Sequence, residues 1–452
     1  MSGALSSRPA FYLVTIGAAV GLGSIWRFPY LAGRYGGGLF VAAFLVACIF
    51  IAVPLLVAEF YIGQASRSSP PRAAGDLAAR FGMTRSWDAI GIMGSLASFL
   101  VFSYYTMIAG WVVAYAVRTA SGSLAHLSQN TLSTQFHVFV GSVGVTWAWQ
   151  LCFIALTGAV SSSGLQRGIE RISKFRAPAL LLLLLILVGY SLLVGDVEHG
   201  LSFAFAPRSS TLSGELLLAA VSQAFYATGV GMAMMIAYGA YIPRDTSLTR
   251  SAIFIVSSII TVSLLATLVV FPLVFRYHLD PEQGPKLVFE VLPAAFAEMP
   301  GGRVFGTLFF ALLALAALTP AIATIEPAVA WLEGRGMGRT WAAAVVCVAG
   351  ALLGLGSIFS FNIWVNWRPL SAVPGFSSRS FFDVVDFLSA DLLMPLGALL
   401  TSLFVGWILP HRIRTIGADV SAPPINPWLL LFLRYVCPIA ITVVLIGAFV
   451  SQ

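Results

Sequence analysis

An all-α bundle that crosses a membrane many times follows from three features of this sequence. Its 452 residues are 59% hydrophobic and only 10% charged, and the mean hydropathy is +0.91. That is far too apolar for a soluble domain of this length. Apolar runs of about 20 residues, enough for a helix to cross a hydrocarbon core about 30 Å thick, recur along the chain. Closed β-barrels would show short alternating segments instead. Basic residues gather at alternate ends of the runs, as the positive-inside rule requires.

Eleven spans are expected, in order. The first, 11–34, is apolar but interrupted by Gly17, Gly21 and Gly23. The second (39–63) and third (88–118) are long and uncharged over most of their length, and the fourth (138–160) and fifth (177–194) complete a first half. The sixth, 213–240, carries Gly229 and Gly231 in its middle, just after Ala227 and Thr228. The remaining runs lie at 251–275, 303–332, 341–361, 384–410 and 428–450. No segment between them is long enough for a soluble domain. Residues 1–452 are therefore read as one membrane domain: repeat one about 8–194, repeat two about 213–410, and an extra helix at 428–450.

The net charge of +7 fits topology rather than a nucleic-acid partner. With the N-terminus in the cytoplasm, fifteen of the 25 Lys and Arg residues fall on cytoplasmic ends. They are Arg8; Arg67, Arg72, Arg80 and Arg85; Arg167, Arg171, Lys174 and Arg176; Arg244 and Arg250; Arg335 and Arg339; Arg412 and Arg414. Seven fall outside, and Arg27, Arg34 and Arg434 lie in or beside spans. The expected location is a plasma (inner) membrane, with the C-terminus outside after eleven crossings. The four cysteines lie inside apolar runs, the histidines have no metal-ligand spacing, and no phosphate loop or nucleophile elbow occurs. An enzyme and an organic cofactor have no support.

The interrupted spans carry the functional signal. Each glycine costs a helix about 1 kcal/mol relative to alanine, and bare backbone at membrane depth is tolerated only inside protein or beside a water-filled cavity. Gly17 and Gly21 also fit close helix packing. The matching lesion in span six, which opens the second half, favours unwinding at a midplane site between inverted repeats.

Several motifs then resemble the neurotransmitter:sodium symporter family. They are GAAVGLGSIWRFPY and RYGGGLF around span one, PLLVAEFYIGQ in span two and SYYTMIAGW in span three. AYGAYI ends span six, and DVVDFLSADLLMPLG opens span ten. The resemblance implies a five-plus-five inverted-repeat leucine-transporter fold, with helices one and six unwound at the midplane. It also implies import of a neutral amino acid by alternating access. The backbone N–H groups of Leu22 and Gly23 and the Tyr105 hydroxyl would take the substrate carboxylate. The carbonyls of Ala19, Tyr226 and Ala227 would take its ammonium. Val101, Gly229, Met232, Ala321 and Thr324 would line the side-chain subsite.

The same resemblance assigns Arg27 and Asp386 to an outer gate, with Tyr105 and Tyr226 as an aromatic lid beneath. Glu59 would support the loosened backbone of span six, and Glu326 with Tyr241 would belong to the cytoplasmic pathway. EQGPKLVFEVLPAAFAEMP resembles a re-entrant outer loop. A first sodium site is eroded, with Ser24, Ala227 and Ile259 at its positions. A second keeps the carbonyls of Gly17, Val20 and Ala316 and the Thr319 hydroxyl, while Pro320 replaces a further hydroxyl. No lysine or arginine is expected there, so one sodium ion is the coupling cation, the only cofactor expected.

Two alternatives stay open. One is a proton-coupled or ion-independent transporter with Glu59 or Glu326 as the proton carrier. The other is a non-transporting sensor of the same fold. The inner gate departs from the family, with Ser2, Leu5 and Gly334 where charged or aromatic partners are expected, so no inner ion pair is assigned.

Overall fold

The computed structural model describes residues 8–125, 127–208, 213–243, 246–277, 287–373, 375–411 and 425–450. Ser2, Leu5, Arg244, Lys286, Arg412, Arg414 and the start of the expected outer loop lie outside the described residues. Helix dominates throughout, and the sole bridge pairing among the described residues joins Gly37 and Pro207.

Nine helices are long and apolar enough to cross a membrane among the described residues. They match the second to fifth and seventh to eleventh expected runs. A tenth crossing is the bent pair Pro9–Ala19 and Gly23–Arg34, whose axes differ by 58°. Span six is two pieces, Gly214–Thr228 and Met234–Gly239. The count of eleven is consistent with this arrangement.

Two span boundaries differ from expectation. Span four starts at Val143, because Ser142 is extended (φ −92°, ψ 97°) and separates it from a short helix, Gln129–Gly141. Span five runs Gly168–Val194, so helix continues through the charged stretch that was read as its cytoplasmic flank. Arg176 is thereby inside the helix and buried.

The layering follows burial. In span eight, Gly302–Glu333, 78% of the most apolar window is buried, and span three, Arg85–Ser121, packs most extensively against it. Spans four and five (28% each) and eleven (22%) leave apolar side chains facing outward, where lipid makes such exposure costless. Polar side chains tie the interior: Gln150 Nε2 donates to Ser103 O at 3.0 Å and Ser98 Oγ to Thr324 O at 2.8 Å. The latter bond fixes span three against span eight at the level of the two breaks.

Candidate functional site

The break in span one is written in its backbone. Val20 N still bonds Ile16 O at 2.7 Å, but Ser24 N turns to Gly21 O at 3.2 Å. The carbonyls at the end of the first half-helix thus lose their ordinary partners. Gly23 is required by a neighbour, because a Cβ there would stand 2.6 Å from the Tyr226 ring. In span six, Gly229 (φ 65°), Gly231 (φ 85°) and Ala233 (φ 55°) are left-handed, a conformation that ends the helix at Thr228. Glu59, 1% exposed, accepts from Gly231 N at 2.6 Å through Oε1. It stands where support of the loosened backbone needs it.

Between the breaks lies a cavity of about 40 Å³. Span one contributes Ala18, Ala19, Gly21, Leu22, Gly23 and Ser24, and span three Val101 and Tyr105. Span six contributes Tyr226, Ala227, Gly229, Met232 and Met234, and span eight Pro320 and Thr324. Of the expected substrate residues only Ala321 does not line it. Pro320 and Thr324, four apart, share the facing stripe of span eight, and Ala321 is rotated about 100° from Pro320. Ser24 Oγ is buried without a hydrogen-bond partner, and the buried Tyr105 hydroxyl sits beside the Leu22 main chain without a hydrogen bond of good geometry. Two movable methionines face them.

Above the cavity, the Arg27 guanidinium lies 4.7 Å from the Tyr226 ring centroid and donates to Gln223 Oε1 at 3.3 Å. Gln223 Nε2 in turn donates to Gly23 O at 2.9 Å, so this glutamine clamps the second half of span one to span six. Its signal was a lone amide inside an apolar run. Arg27 forms no direct ion pair with Asp386.

Toward the other end, Glu326 accepts from Tyr241 at 3.4 Å and is held bidentately by Arg339 at 2.7 and 3.1 Å. Arg339, expected as a loop charge, is its half-buried partner. Arg67 and Gln64 at the end of span two donate to the carbonyls of Ala240, Ile242 and Pro243 after span six. That clasp uses main-chain acceptors, which no ion-pair reading of the sequence reveals.

The expected second sodium cluster brings the main correction. All four of its oxygens converge, but Arg176 of span five is among them. Arg176 Nη2 donates to Val20 O at 2.6 Å and to Ala316 O at 3.2 Å. Nη1 donates to Gly17 O at 3.1 Å, and Nε to Leu315 O at 2.7 Å. The Thr319 hydroxyl is spent on Gly17 O at 2.6 Å.

Three of the four carbonyls that Arg176 meets have a local cause. Gly17 and Val20 end a half-helix, and Pro320 has no N–H to return to Ala316 O. The expectation that no arginine reaches this cluster therefore fails. Two unit charges 4 Å apart repel by about 4 kcal/mol at an effective dielectric of 20. The residues present do not fit a sodium ion while the guanidinium is seated. At the first cluster, Ile259 is fully buried and Ala227 offers no side-chain oxygen, which leaves Ser24 Oγ.

Comparison with known proteins agrees with the fold. The profile of the sodium:neurotransmitter symporter family matches residues 3–137 and 129–367. The Bacillus subtilis protein described as uncharacterized sodium-dependent transporter YhdH is 37% identical over 451 residues, covering 98% of this chain and 96% of its own. The crystal structure of MhsT in complex with L-phenylalanine superposes with a TM-score of 0.87 at 34% identity, covering 99% of this chain and all of MhsT. The rat sodium-dependent neutral amino acid transporter B(0)AT2 is 26% identical over 297 residues, 59% of this chain and 40% of its own.

Proposed function

Because the chain belongs to the sodium:neurotransmitter symporter family, and is a multi-pass membrane transporter rather than an enzyme, we propose that it imports a neutral amino acid by alternating access. The observation that carries this reading is the cavity between the two broken spans, with the hydroxyls of Tyr105 and Ser24 in its wall and Ser24 Oγ unpartnered. A zwitterion suits it. The N-terminal end of the second half of span one carries partial positive charge for a carboxylate at Leu22, Gly23 and Tyr105. The carbonyls of Ala19, Tyr226 and Ala227 offer partial negative charge to an ammonium.

Val101, Met232, Met234 and Thr324 would meet the side chain. The cavity is small, so a large apolar side chain enters by displacing the methionines, whose three rotatable bonds permit it. MhsT, with its bound L-phenylalanine, supports this class. Opening would rock spans one, two, six and seven against the rest, with Arg27 and Tyr226 closing the outer side and Asp386 facing them. The loop charges favour a cytoplasmic N-terminus.

Coupling to one sodium ion at Gly17, Val20, Ala316 and Thr319 is what the family resemblance favours, and Arg176 on those oxygens bears against it. Of the two carboxylates considered as proton carriers, Glu326 is held by Arg339, whereas Glu59 keeps Oε2 unpartnered. The test is thermal-shift screening of the purified protein against the twenty amino acids, followed by counterflow of any hit in proteoliposomes. A stabilising neutral amino acid that exchanges across the bilayer is expected. No shift and no exchange with any of them would remove the reading.

A further inference from the structure

We propose that Arg176 is a resident cation, covalently part of the chain, which does the work of an ion at the junction of spans one, five and eight, so that amino-acid binding needs no sodium. The inference rests on the amino-acid carrier reading for its transport consequence, though not for the chemistry of the junction itself.

Arg176 does not behave as half of an ion pair. It is 1% exposed, and among the described residues its hydrogen bonds run to four main-chain carbonyls and to no carboxylate. A buried guanidinium with no anion beside it is costly unless its donors are filled and a compensating field is present. Both conditions are met by the broken span. The carbonyls of Gly17 and Val20 are the C-terminal end of a half-helix, where partial negative charge collects. Ala316 O is freed by Pro320, and the planar fork of arginine reaches several acceptors at once.

An ion would link these same oxygens between the moving first span and the eighth. Here the link is made from the fifth span by a side chain that cannot dissociate and cannot give up its proton. The other oxygen cluster, at Ser24, Ala227 and Ile259, supplies one side-chain hydroxyl, and any further oxygens for a hard cation would have to be the main-chain carbonyls that the substrate ammonium is proposed to use. A fixed charge at the second cluster and the erosion of the first together leave no side-chain cage that demands sodium.

The experiment uses the full chain, purified in sodium, potassium or choline chloride at matched ionic strength. Two quantities are measured: Tm without amino acid, and Kd for the amino acid that the thermal screen identifies. For the unaltered protein, Tm is expected to be the same in all three salts and Kd to agree within about twofold. A sodium-specific rise in Tm, or a Kd tightened tenfold or more by sodium over potassium, which is about 1.4 kcal/mol, overturns the proposal.

Arg176→Ala is expected to weaken binding about tenfold or more in potassium. Arg176→Lys, which keeps a charge on a long stem, is expected to bind without sodium at intermediate affinity, and it serves if the alanine variant does not fold. Binding by Arg176→Ala in potassium equal to that of the unaltered protein also overturns it. If no amino acid binds in any salt, the carrier reading fails, while the Tm comparison still decides the role of Arg176.

Discussion

Replacing Tyr105 by phenylalanine should move stability and affinity in opposite directions. The tyrosine is 5% exposed, its hydroxyl makes no hydrogen bond of good geometry with the Leu22 main chain beside it, and a Cβ on Gly21 would stand 3.3 Å from that oxygen. A buried donor left unsatisfied costs about 1–3 kcal/mol. Tyr105→Phe removes that cost and leaves the ring packed, so the Tm of the substrate-free protein should equal or exceed that of the parent. If the hydroxyl awaits a carboxylate, its loss removes a hydrogen bond to a charged group. Such a bond is worth about 1.5–3 kcal/mol, which is about 10- to 150-fold in Kd. Thermal unfolding without ligand and equilibrium binding of labelled amino acid give the two numbers. Affinity within about threefold of the parent, or a Tm that falls together with the affinity, would refute the assignment, because a structural tyrosine loses both.

Three further substitutions probe the frame around the cavity. Gly23→Ala drives a methyl to 2.6 Å from the Tyr226 ring, and overpacking of about 1–3 kcal/mol should weaken binding about tenfold or more; unchanged affinity in the same binding assay would show that the ring yields. Glu59→Ala strips the acceptor from Gly231 N and should lower both Tm and affinity, whereas Glu59→Gln keeps an acceptor oxygen and should lose less; equal losses would show that the charge matters rather than the bond. Arg339→Ala leaves Glu326 buried and unpaired, at a cost of about 3–5 kcal/mol. Its Tm should fall sharply and be partly restored by adding Glu326→Gln, a recovery that a double-mutant cycle reads directly.

The breaks in spans one and six were legible because glycine acts locally: wherever Gly229 and Gly231 sit in space, their backbone permits the left-handed turn that ends a helix. Pocket membership followed from the register of the motifs, which is why a rotation of about 100° along span eight suffices to leave Ala321 out. Arg176 was hidden by a second explanation of equal quality, since a basic residue near a span end satisfies the positive-inside rule wherever its side chain points. Periodicity held the missing signal. Ser173, Arg176, Leu180, Leu184, Leu187 and Ser191 form one buried stripe at helical spacing, and Arg176 lies about 200° round the helix from Lys174. Counting charges by loop discards that angle. Gln223 and Arg67 were missed for a different reason: both bind main-chain carbonyls, whose availability depends on where helices end.

A broken span has two new ends of opposite sign, and what faces each end decides what the site can bind. At the first break the negative end, at Gly17 and Val20, is matched by Arg176. The positive end, where Gly23–Arg34 begins, faces the cavity, whose wall contains no acidic side chain. The field there therefore selects an anionic group from outside the chain, and a carboxylate is the anion that a neutral amino acid carries. Had Arg176 been absent, both ends of the break would have needed external ions. With it, the first break needs one, and in the proposed complex the ammonium that accompanies the carboxylate would meet the carbonyl end of the first half of span six at Tyr226 and Ala227. On this reasoning a ligand lacking the carboxylate should lose more affinity than one lacking the ammonium, because the carbonyl end of span six can also be satisfied by water.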